Sequence, residues 1–151
     1  MMRTGRQPGT IRARRFTAGL VGLAAMSLAA CGDDSGEPAC VEVDLQCDPA
    51  FSPTFANIHK FVISPSCAAA GCHGANGEDG LSMPTEDDAY AGLVDGVGGK
   101  PRVIKGDAAC SILTERIETD DTARRMPFMG AKLKAGDRCA IEQWIEAGAP
   151  R

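Results

Sequence analysis

Cys67-Ala68-Ala69-Ala70-Gly71-Cys72-His73-Gly74 is the stretch on which the reading of this 151-residue chain turns. It sets two thiols four residues apart and puts a histidine directly after the second. A plain disulfide needs no adjacent histidine, so the stretch marks either a chemical site or a short closed loop with an idle imidazole. Just upstream, Ser52-Pro53 reads as an N-cap followed by proline at the first helical position. Phe55, Ile58 and Val62 then recur on one helical face. Ser64-Pro65 ends that helix, because the residue before proline avoids the helical region. A short helix therefore leads into the Cys67–His73 loop.

Downstream, Gly74 to Gly80 is a polar, glycine-rich loop. Thr85-Glu86-Asp87-Asp88 reads as a capping box opening a helix that carries Tyr90, Leu93 and Val94. Gly96 to Pro101 is a turn. Gly106-Asp107 caps a third helix, on which Cys110, Leu113 and Ile117 share a face. The last helix runs from about Ala135 to Ala147, buries Ile141, Trp144 and Ile145, and ends at Gly148. There is no internal repeat and no convincing strand pair. Residues 51–151 thus read as a mostly α domain of four to five short helices.

The N-terminal part has a different character. Arg12 to Arg15 is basic and leads into Phe16–Ala30, which is apolar or small throughout. Fifteen residues at ~1.5 Å rise fall short of the ~30 Å hydrocarbon core, so this is a signal segment and not a spanning helix. It closes on Leu28-Ala29-Ala30-Cys31-Gly32, which resembles the lipobox of bacterial lipoproteins. That resemblance implies a signal peptide over residues 1–30 and lipidation of Cys31, anchoring the chain to a membrane. Residues 31–50 then form a polar tether. Asp is absent directly after Cys31, which by analogy with enteric sorting favours the outer membrane within the cell envelope.

All five basic residues before Cys31 are arginines and no acidic residue precedes Asp33, so the remainder carries a net charge of about −9. An acidic chain is a poor match for nucleic acid, whose binding depends on lysine and arginine. Export also places the remaining six cysteines (Cys40, Cys47, Cys67, Cys72, Cys110 and Cys139) where disulfides persist. Six cysteines allow fifteen full pairings, and the sequence does not choose among them.

The usual c-type haem motif is C-x-x-C-H: two thiols add to the haem vinyl groups and the adjacent histidine supplies a nitrogen to iron. Cys67 to His73 keeps the demanding feature, histidine next to the second cysteine, and widens the spacing to C-x4-C-H. The rivals are a Cys67–Cys72 disulfide and a zinc site. Zinc fits poorly, because a structural site takes four N/S ligands and no second cysteine pair is spaced to complete it.

The span from about Phe51 onward resembles the small exported c-type cytochromes, in particular the haem domains of myxobacterial lipoproteins. The matching stretches are Ser66-Cys67, Cys72-His73-Gly74, Ala89-Tyr90-Ala91-Gly92-Leu93, Arg102-Val103-Ile104-Lys105-Gly106-Asp107, Arg125-Met126-Pro127 and Trp144-Ile145-Glu146-Ala147-Gly148-Ala149. The resemblance implies a class I cytochrome c architecture, with the first and last helices crossing and haem wedged between them. It assigns Cys67 and Cys72 to the thioethers, His73 to the proximal iron ligand and Met126 to the sixth. With those two cysteines on haem, the other four are expected to pair as Cys40–Cys47 and Cys110–Cys139. A cofactor also suits the composition. Six aromatics follow residue 30 (Phe51, Phe55, Phe61, Tyr90, Phe128, Trp144), a thin core for a small domain that would gain from an apolar insert.

Three other side chains compete for iron. Met83 precedes proline as Met126 does, but follows His73 too soon to cross to the other haem face, so it is expected against the ring edge. Met129 could replace Met126 if the turn is rotated. His59 is expected to be an exposed or hydrogen-bonded helix residue. The functional expectation is an electron carrier, not an enzyme: a lipid-anchored cytochrome with covalent haem c and an unidentified redox protein as partner. The alternative is a haem-free, disulfide-stabilised interaction module on the same scaffold.

Overall fold

The computed structural model describes residues 40–96 and 101–151. The expected signal peptide and the lipidation at Cys31 lie outside the described residues, as do positions 97–100 of the expected turn. The described residues all fall in one unit, Ser35–Arg151. They form four α-helices and no strand, with one isolated bridge between Ile104 and Asp107. This is the expected small, mostly α, cytochrome c-like fold.

Helix α1 (Phe55–Ile58) is capped by Thr54, whose hydroxyl accepts from the Asn57 amide at 3.4 Å, two residues later than the expected Ser52 cap. It does not stop before Pro65. The chain continues as a π-helical turn over His59–Cys67 with Pro65 inside it, and the Ala68 amide bonds back to the Ile63 carbonyl at 2.9 Å. A wider turn tolerates proline because it spares the tight contact between the ring and the preceding turn. The widened turn delivers Cys67 directly to the site.

Helix α2 (Glu86–Tyr90) opens as expected, with Thr85 accepting from the Asp88 amide at 3.2 Å, and widens into a π-helical turn over Ala91–Gly96. Helix α3 (Ile112–Glu118) starts five residues later than the expected Asp107 cap. The intervening residues are held in a turn instead. Asp107 Oδ1 accepts from the Cys110 amide, Ser111 Oγ donates to the Asp107 carbonyl at 2.7 Å, and the Gly106 amide donates to the Ile145 carbonyl. Cys110 therefore sits on that turn and not on the helix. Helix α4 (Ala135–Glu146) matches expectation, and Gly148 follows it with φ +94, a conformation that glycine adopts without strain.

The core joins α1 to α4 through aromatic rings. Trp144 is fully buried and lies 5.2 Å from the Phe55 ring, which in turn meets Tyr90 edge-on at 5.0 Å. Such pairs add about 0.5–1.5 kcal/mol each beyond their burial. Both polar tips are satisfied: Tyr90 donates to the Ala149 carbonyl and Trp144 Nε1 to the Pro150 carbonyl.

The disulfides correct the expected pairing. Cys40 bonds Cys110 and Cys47 bonds Cys139; neither a Cys40–Cys47 loop nor a Cys110–Cys139 clamp forms. The reason is the path of residues 40–50, which follow the domain as a strap. Gln143 of α4 donates to the carbonyls of both Leu45 and Cys47, the Ala50 amide reaches Gly136, and the Val41 amide reaches Ala109. That path carries Cys47 to α4 and Cys40 to the turn before α3.

Candidate functional site

The residues between the two site cysteines loop outward. The His73 amide donates to the Cys67 carbonyl at 3.1 Å and the Cys72 amide to Ala69 at 3.0 Å, while Ala69 to Cys72 stay exposed. Extra length is thus accommodated on the surface, and Cys67 and His73 are drawn together. Gly74 closes the turn where a Cβ would press on the Ala68 and Ala69 carbonyls at 3.1 Å.

Cys67 and Cys72 are free thiols, whereas the other four described cysteines are all paired. Cys67 is half-buried, and burial together with the neighbouring Cys72 pushes its thiol up to about 11. It therefore stays protonated at neutral pH and is a poor exchange nucleophile or thiolate ligand. A long contact to the Val62 carbonyl, at 3.9 Å, also suits the protonated form.

His73 Nδ1 lies 3.1 Å from the Leu81 carbonyl oxygen. A carbonyl can only accept, so Nδ1 carries the ring proton and Nε2 keeps a free lone pair. This is the arrangement that second-shell bonding imposes on metal-ligating histidines. The loop is reinforced by Met83, whose amide donates to the His73 carbonyl, and by Ser82, whose hydroxyl donates to the Gly74 carbonyl.

Two cavities meet at these residues. One, of about 260 Å³, is bordered by Ile63, Leu93, Leu113 and Ile117 together with Cys67, His73 and Met126. The other, of about 580 Å³, adds Cys72 and Phe128 to the same Cys67, His73 and Met126. Both lie in the size class of small-molecule sites, ~300–1,000 Å³ when taken as one space. The four predicted residues are therefore brought to one place by three different parts of the chain. Met126 arrives on the loop between α3 and α4, fixed by its amide bond to the Arg116 carbonyl at 2.8 Å.

The competing side chains separate cleanly. Met83 is buried and borders the smaller cavity, as expected of a residue packing at the edge of an inserted ring. Met129 is 87 % exposed and borders neither cavity. His59 also borders neither. It is half-buried beside Phe55, with Nε2 shielded from solvent and no hydrogen-bond partner, so it departs from the exposed or bonded role expected for it. Among the described residues no group of three or more histidine, cysteine or acidic side chains is placed to hold a bare metal ion, which agrees with the poor fit to zinc.

Sequence reading missed the cations of the site. Arg102 and Arg116 both border the smaller cavity. Arg102 donates to the Asp79 carbonyl at 3.1 Å, and Arg116 lies 3.4 Å from the buried Glu115 carboxylate. Arg116 was within reach of periodicity, since it follows Leu113 by three positions on the same helical face.

Residues 70–127 match the family described as Planctomycete cytochrome C. The matched stretch contains Cys72, His73 and Met126 and supports a cytochrome c-like domain. No curated protein and no solved structure matches the chain.

Proposed function

We propose that the chain is an exported, lipid-anchored c-type cytochrome that carries electrons through one covalently attached haem. One observation carries the proposal: two unpaired thiols, an imidazole with a free Nε2 and a methionine border a single apolar cavity in a chain whose other described cysteines are paired. The residues fit the group. Cys67 and Cys72 would supply the thioethers, His73 the proximal nitrogen and Met126 the sixth ligand. Arg102 and Arg116 would meet the carboxylates of the ring.

Haem, when bound, supplies the reversible one-electron couple. The chain's own part is to hold and tune it. Leu81 fixes the tautomer and orientation of His73. Ile63, Leu93, Leu113 and Ile117 keep water from the cavity wall, which favours the less charged ferrous form. Met126 as a thioether donor raises the potential relative to an open or imidazole-bound site. No group positioned for acid–base work on a bound oxidant has been found at the cavity, so an electron carrier is the reading favoured over a catalyst. The signal segment and Cys31 place this carrier in the cell envelope, facing the periplasm or the surface, with the outer membrane favoured and a redox protein as its partner.

The test is an intact mass under denaturing conditions, on protein from a strain with haem-maturation machinery. One haem adduct with two disulfides is expected, and the haem should resist acid-acetone extraction. Colourless protein lacking six hydrogens and bearing no adduct would overturn the proposal and leave the haem-free interaction module.

A further inference from the structure

The segment between α3 and α4, residues 119–134, closes over both cavities: Met126, Pro127 and Leu133 border the smaller, and Ala123 and Phe128 the larger. Its attachments converge on one carboxylate. Lys132 Nζ donates to the Glu118 carbonyl at 2.6 Å and lies 3.5 Å from the Glu118 carboxylate, with Asp120 at 3.0 Å. Arg138 of α4 bonds the same Glu118 carboxylate through Nε and the Leu133 carbonyl through Nη1. Glu118 is thus a clasp that grips the far end of the segment directly through Lys132 and, through Arg138, at Leu133.

Glu118 also faces Glu142 of α4, and their side chains are hydrogen-bonded. Two ionised carboxylates have no proton to donate to one another, so the pair holds one proton between them. Glu142 is the member that keeps it. Only 4 % of its surface is exposed, and its Oε1 is buried with no partner, a poor place for a charge. The groups facing Glu142 are Glu118 from α3, Arg138 from its own helix and Asp44 from the strap. Two are anionic and one cationic. Burial first, then Glu118, lifts the Glu142 carboxyl to about 8, with Asp44 adding to the rise and Arg138 opposing it.

We propose that the proton shared by Glu118 and Glu142 latches the 119–134 segment over the cavity, holding it shut at neutral pH and freeing it in mild alkali. Loss of that proton to solvent leaves two carboxylates facing each other across α3 and α4. Arg138 neutralises only one of them. Glu118 is driven outward, and its bonds to Lys132 and Arg138 go with it. The inference holds whatever occupies the cavity, so it does not depend on the cytochrome reading.

Amide hydrogen exchange on the full chain as purified, between about pH 6 and about pH 9.5 and expressed as protection factors, tests it. In the wild type the Met126 and Gly130 amides should lose roughly ten-fold or more of their protection as pH passes about 8. The Ala147 amide at the end of α4 should keep its protection. Glu142→Gln can still donate to Glu118 and cannot ionise, so its segment should stay protected throughout. Lys132→Met removes one bond of the clasp and should show low protection already at pH 6. Wild-type protection that does not change with pH, a Glu142→Gln curve that follows the wild type, or a parallel loss at Ala147 would each overturn the proposal. Should Glu142→Gln fail to accumulate, Lys132→Met protection equal to the wild type at pH 6 would do the same.

Discussion

The carbonyl of Leu81 holds the ring of His73 through Nδ1, at 3.1 Å, eight residues further along the chain. The loop that makes this possible passes Gly77, where a Cβ would lie 1.9 Å from the Leu81 carbonyl oxygen and 2.7 Å from the Ser82 Cα. Both obstacles are backbone, so an alanine there cannot be accommodated without moving the very carbonyl that orients the imidazole. Gly77→Ala should lower stability by about 1–3 kcal/mol, the usual cost of overpacking. It should also weaken the His73–iron bond in the loaded protein. Thermal melting reads the first effect and the resonance Raman iron–histidine stretch the second; unchanged values in both would refute the role given to Leu81.

The three methionines separate by position. Met126→Ala should abolish the sulfur-to-iron charge-transfer absorption and lower the potential while leaving covalent haem in place. Met129→Ala, at a side chain 87 % exposed, should change neither spectrum nor melting temperature. Met83→Ala leaves a hole in a buried wall and should cost about 2–5 kcal/mol with sixth-ligand absorption retained. Absorption lost in Met83→Ala and kept in Met126→Ala would reverse the ligand assignment.

What could be read in advance followed how tightly chemistry ties residue type to position. Adjacency of Cys72 and His73 is a covalent requirement, so the site loop was legible from eight residues. The last helix was legible because Ile141, Trp144 and Ile145 repeat on one face and Gly148 ends it. Helix ends were not: Thr54, not Ser52, caps α1, and a π-helical turn carried the chain through Pro65. The third helix starts late because Ser111 and Asp107 bond each other's neighbourhood in a turn, an outcome local propensity does not distinguish from a cap. Disulfide connectivity is a tertiary fact and was read wrongly. The carboxyl pair was invisible because Glu142 sits next to Ile141 in sequence, and only the packing of the strap and α3 shows that its side of the helix is covered.

The interleaved disulfides close loops with sequence separations of 70 and 92. In the chain-entropy account each is worth about 4–5 kcal/mol, more than the small Cys40–Cys47 loop would have given. Non-reducing peptide mapping should recover Cys40 linked to Cys110 and Cys47 linked to Cys139. Removing the second pair as Cys47→Ser with Cys139→Ser should lower the melting temperature by ~10 °C or more. Because the strap also bonds α4 through Gln143, the double variant should still fold at low temperature. A linked Cys40–Cys47 peptide would contradict the strap.

Glu142 also sets how stability varies with pH. Its carboxyl titrates near 8 in the folded chain, well above the ordinary carboxylate range that it recovers on unfolding. Between those two values the folded state holds a proton that the unfolded state has released, so stability falls as pH rises through this window. The contribution is fully present below about pH 4.5 and gone above about pH 8. Glu142→Gln removes the dependence, since glutamine stays neutral in both states. The variant and the wild type should therefore melt together near pH 4.5, and at about pH 9 the variant should melt roughly 5–10 °C higher. Melting curves across that range decide it: a wild type whose stability rises between about pH 5 and about pH 8, relative to Glu142→Gln, would mean that Glu142 is ionised in the folded protein and that Glu118 holds no proton with it.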